Sequence, residues 1–246
     1  MTLADHALAA GRTLFRWRSY VPLLFLPAFV LTIALDRPPF TAPAALLAWQ
    51  VGCVLVALAG IAVRAHVVGH AAAGTSGRNQ AEQKAESLTT TGCYSVVRHP
   101  LYLGNALVLF GLSLLPVAWY LPLIVVLGAA LYYERIMLVE EDFLAGKYGE
   151  AFRRWAQATP AIVPALRGWT PPALPFAWRI VVRAEIYGVF QIVAVVFVLD
   201  VVQRWSLTGE ASLSPVWTPA ALATAAVWVL ARYARKYTRL LTVPGR

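Results

Sequence analysis

Residues 91–105 read TGCYSVVRHPLYLGN, and within them a polar segment changes into an apolar run. Pro100 stands at the change, with Arg98 and His99 directly before it. Proline lacks the N–H that a first helical turn leaves unpaired, so Pro100 predicts the start of a helix. The stretch therefore places two basic side chains at the mouth of an apolar helix.

The composition around this stretch is that of a membrane protein. Of the 246 residues, 59% are hydrophobic and only 13% are charged, which is typical of an integral membrane protein. We therefore predict an all-α, polytopic membrane protein with about six membrane helices. The apolar runs are residues 20–35, 43–63, 101–115, 117–133, 180–202 and 216–232.

The third and fourth runs are shorter than the roughly 20 residues that a membrane-crossing helix needs. They meet at Pro116, which favours a tight turn or kink. We expect a short hairpin that either crosses the membrane or only dips into it. Before the first run, leucines and aromatic residues alternate with arginines, and this predicts an amphipathic helix on the membrane surface. No small-residue cleavage site follows that run, so we expect it to stay uncleaved.

The basic residues indicate a topology. With both termini in the cytoplasm, every Lys and Arg except Arg37 and Arg204 falls on the inner side, counting Arg183 there. We predict a bacterial inner-membrane protein whose basic inner face contacts anionic lipids, which explains the net charge of +9. No basic motif with interleaved aromatics suggests nucleic acid. Two cysteines and four scattered histidines predict no metal site.

Two polar segments, 64–99 and 134–179, flank the hairpin on this inner side. In the first, Gly74 and Gly77 lack the strand and third glycine of a dinucleotide fingerprint, so we expect no Rossmann domain. At its end, Arg98 and His99 beside a helix N-terminus form a small anion-binding corner. Alternatively, Arg98 reaches to lipid headgroups and His99 only caps the helix.

The second polar segment begins LYYERIMLVEEDFLAGKYGEAFRRW at residue 131. At about 100° per residue, Glu134 and Glu141 share one helical face with Met137. Glu134 stands at the membrane end of the fourth run, where a charge is costly without a partner such as Arg135, Arg98 or a cofactor. Glu140 and Glu141 are either solvated or functional.

Together, the two segments closely resemble the isoprenylcysteine carboxyl methyltransferase and phospholipid methyltransferase superfamily of integral membrane enzymes. The resemblance covers residues 79–164, about a third of the chain. The matching positions are Gly92, Tyr94, Arg98, His99, Pro100, Tyr102, Gly104, Glu140, Glu141, Tyr148, Gly149 and Trp155.

The resemblance implies a methyltransferase that uses S-adenosylmethionine without a Rossmann fold. It also implies a cytoplasm-facing cofactor pocket, closed over by the carboxyl-terminal motif helix, and a lipid substrate that enters sideways from the bilayer. The implied cofactor-binding residues are Asn79, Gln80, Glu86, Ser87, Leu88, Thr89, Tyr94, His99, Pro100, Leu101, Tyr102 and Glu141.

The chemistry needs no nucleophilic side chain, because the sulfonium already activates the methyl group and the enzyme must mainly align the reactants and exclude water. An anionic acceptor would need cations, for which Arg98 and Arg135 are candidates. An amine acceptor would need a proton acceptor, for which the candidates are carboxylates. The predicted catalytic residues are thus Glu141, Glu140, Arg98, Arg135 and Glu134.

One position departs from the family pattern. Met137 stands where the prenylcysteine enzymes carry an arginine thought to hold the substrate carboxylate. We therefore predict a membrane lipid acceptor, methylated on a headgroup phosphate or amine. Carboxyl methylation of a prenylcysteine-like acceptor, a nicotinamide-dependent membrane reductase and a non-catalytic membrane scaffold are the alternatives.

We divide the chain into three parts. Residues 1–63 hold the amphipathic segment and two membrane helices, and residues 64–164 hold the methyltransferase core. Residues 165–246 hold a proline-rich linker, two further membrane helices and a basic tail. In this last part, Glu185 is expected either as an interfacial group or, with Gln191, lining a lipid-entry groove.

Overall fold

The computed structural model describes residues 2–18, 20–72 and 87–246. Apart from an isolated bridge between Gly92 and Thr170, all regular secondary structure in these ranges is helical, which confirms the all-α prediction. The α-helices there are α1 (Leu3–Trp17), α2 (Phe25–Leu35), α3 (Pro43–Gly69), α4 (Pro100–Ser113), α5 (Tyr120–Tyr148), α6 (Glu150–Ala158), α7 (Trp178–Thr208) and α8 (Trp217–Tyr237).

Each of the six predicted apolar runs coincides largely with one α-helix or with part of one. Within the described ranges, α3, α5 and α7 are long and apolar enough to cross a membrane, while α2 and α4 are shorter apolar helices. Large apolar side chains such as Leu55, Leu127 and Val198 point outward from the three long helices. Since lipid rather than water suits such a surface, the chain is an integral membrane protein.

The expected short hairpin needs a correction. The third run forms α4, with 14 residues, but the fourth run is only the beginning of α5, with 29 residues. The helix does not stop at residue 133, because the following residues are mostly good helix formers. It ends at Gly149, whose φ of 54° redirects the chain into α6. Glu140 and Glu141 consequently sit on the same rigid helix as the membrane-embedded run.

α3 and α4 approach each other backbone to backbone. A Cβ added to Gly104 would lie 2.8 Å from the Gly60 carbonyl oxygen, and one added to Gly60 would collide with the Gly104 carbonyl oxygen. Only glycine allows this approach, as at small-residue contacts between other membrane helices. The contact fixes the first turn of α4, and with it Pro100, against α3.

A buried ion pair joins α7 to α3 beside the contact between α3 and α4. The Arg64 guanidinium donates two hydrogen bonds to the Glu185 carboxylate, at 2.8 Å from Nε and 2.7 Å from Nη2. Its Nη1 donates to Asn105 Oδ1 at 2.6 Å. Glu185 is only 3% exposed, so it is neither an interfacial group nor part of an open lipid groove. The partner was not foreseen because it lies on a different helix.

Candidate active site

The loop from Gly92 to His99 is held in place by the chain that follows α5. The Gly92 N–H donates to Thr170 O at 2.9 Å, and the Arg98 N–H donates to Pro160 O at 2.8 Å. From α6, the Trp155 indole N–H donates to Tyr94 O at 3.0 Å. The loop is thus covered by α6 and the chain that follows it.

His99 is the centre of the predicted site. It precedes Pro100 at the start of α4 and is 7% exposed, and its Nε2 lies 2.8 Å from Glu141 Oε1. Since an ionised carboxylate only accepts, Nε2–H is the donor in this bond. Nδ1 lies 3.8 Å from Glu140 Oε2, so the ring stands between the two carboxylates.

Arg98 and Tyr102 hold the same two carboxylates from the sides. Arg98 Nε lies 3.0 Å from Glu141 Oε1, without hydrogen-bond geometry, while its Nη1 donates to Ala156 O at 2.6 Å. The Tyr102 hydroxyl donates to Glu140 Oε1 at 2.5 Å. We call Arg98, His99, Tyr102, Glu140 and Glu141 the carboxylate cluster. Arg98 is thus engaged with the protein's own groups.

The carboxylate cluster remains accessible. The Glu140 and Glu141 side chains are 28% and 25% exposed, although their partners hold them in defined positions. A carboxylate has about four acceptor sites, so each retains some for a ligand. The cluster can therefore attract a positively charged group and accept a proton.

A second feature adjoins the cluster, and we call it the histidine cleft. It holds about 30 Å³ of open space, room for one or two waters, between the end of α3 and residues 89–94. Its lining is His66, Val67, His70, Ala71, Thr89, Thr91, Gly92, Cys93, Tyr94 and Pro172. Burial raises the pKa of the Cys93 thiol. Burial, and after it the Glu140 carboxylate, raises the pKa of Tyr94, so both groups are neutral at ordinary pH.

The structure brings together many of the predicted site residues. His99, Tyr102 and Glu141 lie in the carboxylate cluster with Pro100 and Leu101 in the first turn of α4. Thr89 and Tyr94 line the histidine cleft, and Ser87 and Leu88 lead into it. Asn79, Gln80 and Glu86 lie outside the described residues.

Two predicted catalytic residues are placed differently. Glu134 and Arg135 pair with each other at 3.6 Å, and their side chains are 54% and 38% exposed. Of the partners considered for Glu134, the structure therefore selects Arg135. Within the described ranges, no hydrogen bond or ion pair joins this exposed pair to the carboxylate cluster.

Sequence reasoning missed two neighbours of the cluster. Arg18, from the segment after α1, lies 3.9 Å from Glu140 through Nη1, and nothing in its local pattern distinguishes it from the other arginines there. The Tyr133 ring packs 5.1 Å from the Tyr102 ring, and in the sequence it is one more aromatic residue of an apolar run. Within the described ranges, no group of three or more His, Cys, Asp or Glu side chains could hold a metal ion.

The chain is similar to a known protein family over part of its length. Residues 47–151 match the phospholipid methyltransferase family, which belongs to the isoprenylcysteine carboxyl methyltransferase-like superfamily. The predicted resemblance is confirmed over these residues. The phospholipid methyltransferase match begins in α3, ends in α6 and contains every residue of the carboxylate cluster.

Two curated relatives match a shorter segment. They are the cobalt-zinc-cadmium resistance protein CzcN of Cupriavidus metallidurans and the nickel-cobalt-cadmium resistance protein NccN of Alcaligenes xylosoxydans xylosoxydans, each 37% identical over 84 residues. The aligned segment is 34% of this chain, and it spans only 38% and 39% of the two relatives. No solved structure matches the chain significantly.

Proposed function

We propose that this chain is an integral membrane methyltransferase that moves the methyl group of S-adenosylmethionine to the headgroup of a membrane lipid. One observation carries the proposal. At the end of two apolar helices, inside the segment that matches the phospholipid methyltransferases, His99 and Tyr102 hold two accessible carboxylates.

The residues fit S-adenosylmethionine chemically. When bound, this cofactor supplies a methyl group on a positively charged sulfonium, next to an ammonium group. The carboxylates of Glu140 and Glu141 suit those positive charges, and the histidine cleft beside them offers neutral polar groups. Thr89 and Tyr94 would hold the cofactor from the cleft, and His99, Tyr102 and Glu141 from the cluster.

Of the two predicted acceptor groups, the geometry favours an amine. A phosphate acceptor would need a cation to hold it, but the Arg98 guanidinium is already engaged by Glu141 and the Ala156 carbonyl. An amine must lose a proton when it gains a methyl group, and Glu140 or Glu141 can accept that proton. The acceptor we propose is therefore a lipid with a primary or methylated amine headgroup.

The neighbouring groups have positioning roles in this scheme. Arg98 and His99 fix the Glu141 carboxylate from two sides, and Tyr102 fixes Glu140, so both acids are oriented before a substrate arrives. α6 and the chain after it cover the 92–99 loop and keep water from that side.

The acceptor can approach from the bilayer. Leu131 and Leu138, on α5, are 64% and 39% exposed, and Leu138 lies less than one helical turn before Glu141. This face gives acyl chains an apolar surface that ends at the carboxylates. Contact of the basic residues with anionic lipids belongs to the same proposal.

The test is transfer of radiolabelled methyl from S-adenosylmethionine by purified protein into a total bacterial lipid extract. We expect one labelled lipid band, with mass spectrometry placing the added methyl on a headgroup amine. Label on a phosphate would support methyl transfer to a lipid but contradict an amine acceptor. A reaction with no label in any lipid would overturn the proposed function.

A matched pair of variants shows whether the label comes from this site. His99→Ala removes the ring between the two carboxylates, and we expect it to abolish most of the labelling. His6→Ala changes an exposed histidine of α1 and should label lipid at the wild-type rate. Equal labelling by both variants would contradict a role for His99.

A further inference from the structure

His66 carries a buried polar atom without a use in the fold. It lies in the last turn of α3, and its Nε2 is buried with no hydrogen-bond partner among the described residues. Buried polar atoms in folded proteins nearly always have a partner, and an exception calls for an explanation. The side chain lines the histidine cleft, so a ligand in that cleft would supply the partner.

His70, one turn further along, shows what a purely structural histidine does here. Its Nδ1 lies 2.7 Å from the Leu174 carbonyl oxygen, and its ring packs edge-on against Phe176 at 5.4 Å. The His66 ring packs at a tilt against the His70 ring, with 4.7 Å between the ring centres, and lies 5.9 Å from the Trp169 ring. The two aromatic neighbours fix the orientation of His66 while leaving Nε2 without a partner.

The cleft and the carboxylate cluster offer different binding groups, which suit the two ends of one ligand. The cleft lining that the structure describes offers threonine hydroxyls, imidazoles and a tyrosine, and it contains no carboxylate or guanidinium. The carboxylate cluster offers negative charge. The loop from Gly92 to His99 joins them, since its beginning lines the cleft and its end, at Arg98 and His99, contacts Glu141. A ligand that spans them has a neutral polar end and a cationic end.

We propose that His66 binds the nucleoside end of S-adenosylmethionine through Nε2, with the sulfonium and ammonium end directed at Glu140 and Glu141. This inference rests on the proposed function and adds a cofactor-binding residue that the sequence did not indicate. The nucleoside is larger than the 30 Å³ now open, so the walls of the cleft separate when it binds.

The test is equilibrium binding of two ligands to purified protein in detergent, with no turnover. S-adenosylhomocysteine has both ends of the cofactor, whereas methylthioadenosine has the nucleoside and lacks the amino acid. His66→Phe keeps an aromatic ring for the contacts with His70 and Trp169 and removes the ring nitrogens. We expect this variant to bind both ligands about tenfold more weakly, which corresponds to the loss of one hydrogen bond. Glu141→Gln should weaken S-adenosylhomocysteine and leave methylthioadenosine unchanged.

Two further variants separate binding from folding. His66→Gln keeps a polar side chain and should recover part of the affinity, while His6→Phe should bind both ligands like wild type. Methylthioadenosine binding by His66→Phe at the wild-type affinity would overturn this inference alone. If wild-type protein bound neither ligand, the proposed function would fail and the inference with it.

Discussion

Two polar clusters among the described helices differ in how completely their groups are buried and paired. One is the carboxylate cluster at the start of α4. The other, which we call the closed cluster, consists of Gln50, Asp200, Gln203 and Trp217 and joins α3, α7 and α8. Both contain groups that are expensive to place inside a membrane protein.

The closed cluster satisfies its own groups. The Gln50 amide donates to Asp200 Oδ1 at 3.0 Å and to Gln203 Oε1 at 3.3 Å, and it accepts from Trp217 Nε1 at 2.6 Å. Gln50, Asp200 and Gln203 are each 4% exposed. In the carboxylate cluster, by contrast, about a quarter of each glutamate side chain is accessible. Carboxylate oxygens that stay accessible to a ligand thus distinguish the candidate site from the structural contact.

Breaking the Arg64–Glu185 pair should lower the free energy of unfolding, as breaking the closed cluster does. We expect the largest loss for this pair. Glu185→Ala leaves the Arg64 charge buried without its carboxylate, and removing one partner of a buried ion pair costs about 3–5 kcal/mol. Denaturant unfolding in detergent measures that loss. The double variant Arg64→Met/Glu185→Leu should regain most of it. A loss below about 1 kcal/mol in Glu185→Ala would show that the pair is not buried as described.

Gln50→Leu should cost less, because it removes a neutral group. Trp217 Nε1 then loses its acceptor, and an unmade buried hydrogen bond costs about 1–3 kcal/mol. We expect lower stability in the same unfolding assay, with a wild-type rate of methyl transfer per folded molecule. A large drop in that rate with unchanged stability would reverse the comparison between the two clusters.

Tyr102→Phe tests the carboxylate cluster, and we expect a smaller effect than for the two variants above. It removes the hydroxyl that positions Glu140, and we expect methyl transfer to slow about tenfold, or 1.4 kcal/mol. Tyr120→Phe is the matched control, since that hydroxyl also donates to a carboxylate, Asp36 Oδ2, at 2.5 Å, but at the other end of α5. Equal rates for the two variants would show that the Tyr102 hydroxyl has no specific role in methyl transfer.

Arg135→Ala should have the smallest effect. The residue was predicted to be catalytic, yet its side chain is exposed and, among the described residues, pairs with Glu134, and such surface pairs contribute about 0–1 kcal/mol. We expect the free energy of unfolding to fall by at most about 1 kcal/mol and the rate of methyl transfer to stay within a factor of two of wild type. Loss of transfer in this variant would restore the sequence-based role and place the acceptor near Arg135.

The sequence predicted much of this arrangement because the signals are local. Apolar runs mark the helices, Pro100 marks the start of α4, and the spacing of Arg98–His99 and Glu140–Glu141 carries the family resemblance. What it could not predict is contact between distant segments. Arg64 with Glu185, and Gln50 with Asp200, depend on how helices pack, and the spare nitrogen of His66 becomes visible only when its neighbours are placed. The length of α5 was missed because its polar residues end the hydropathy signal without ending the helix.

The measurement that tests the central claim most directly is the rate of methyl transfer by Glu141→Gln beside Glu150→Gln. Both variants remove one carboxylate, the first inside the carboxylate cluster and the second from an exposed pair with Arg153 on α6. We expect a loss of about 100-fold in Glu141→Gln, the lower end of what a positioned proton acceptor provides, and a wild-type rate in Glu150→Gln. Transfer by Glu141→Gln within twofold of wild type would contradict it.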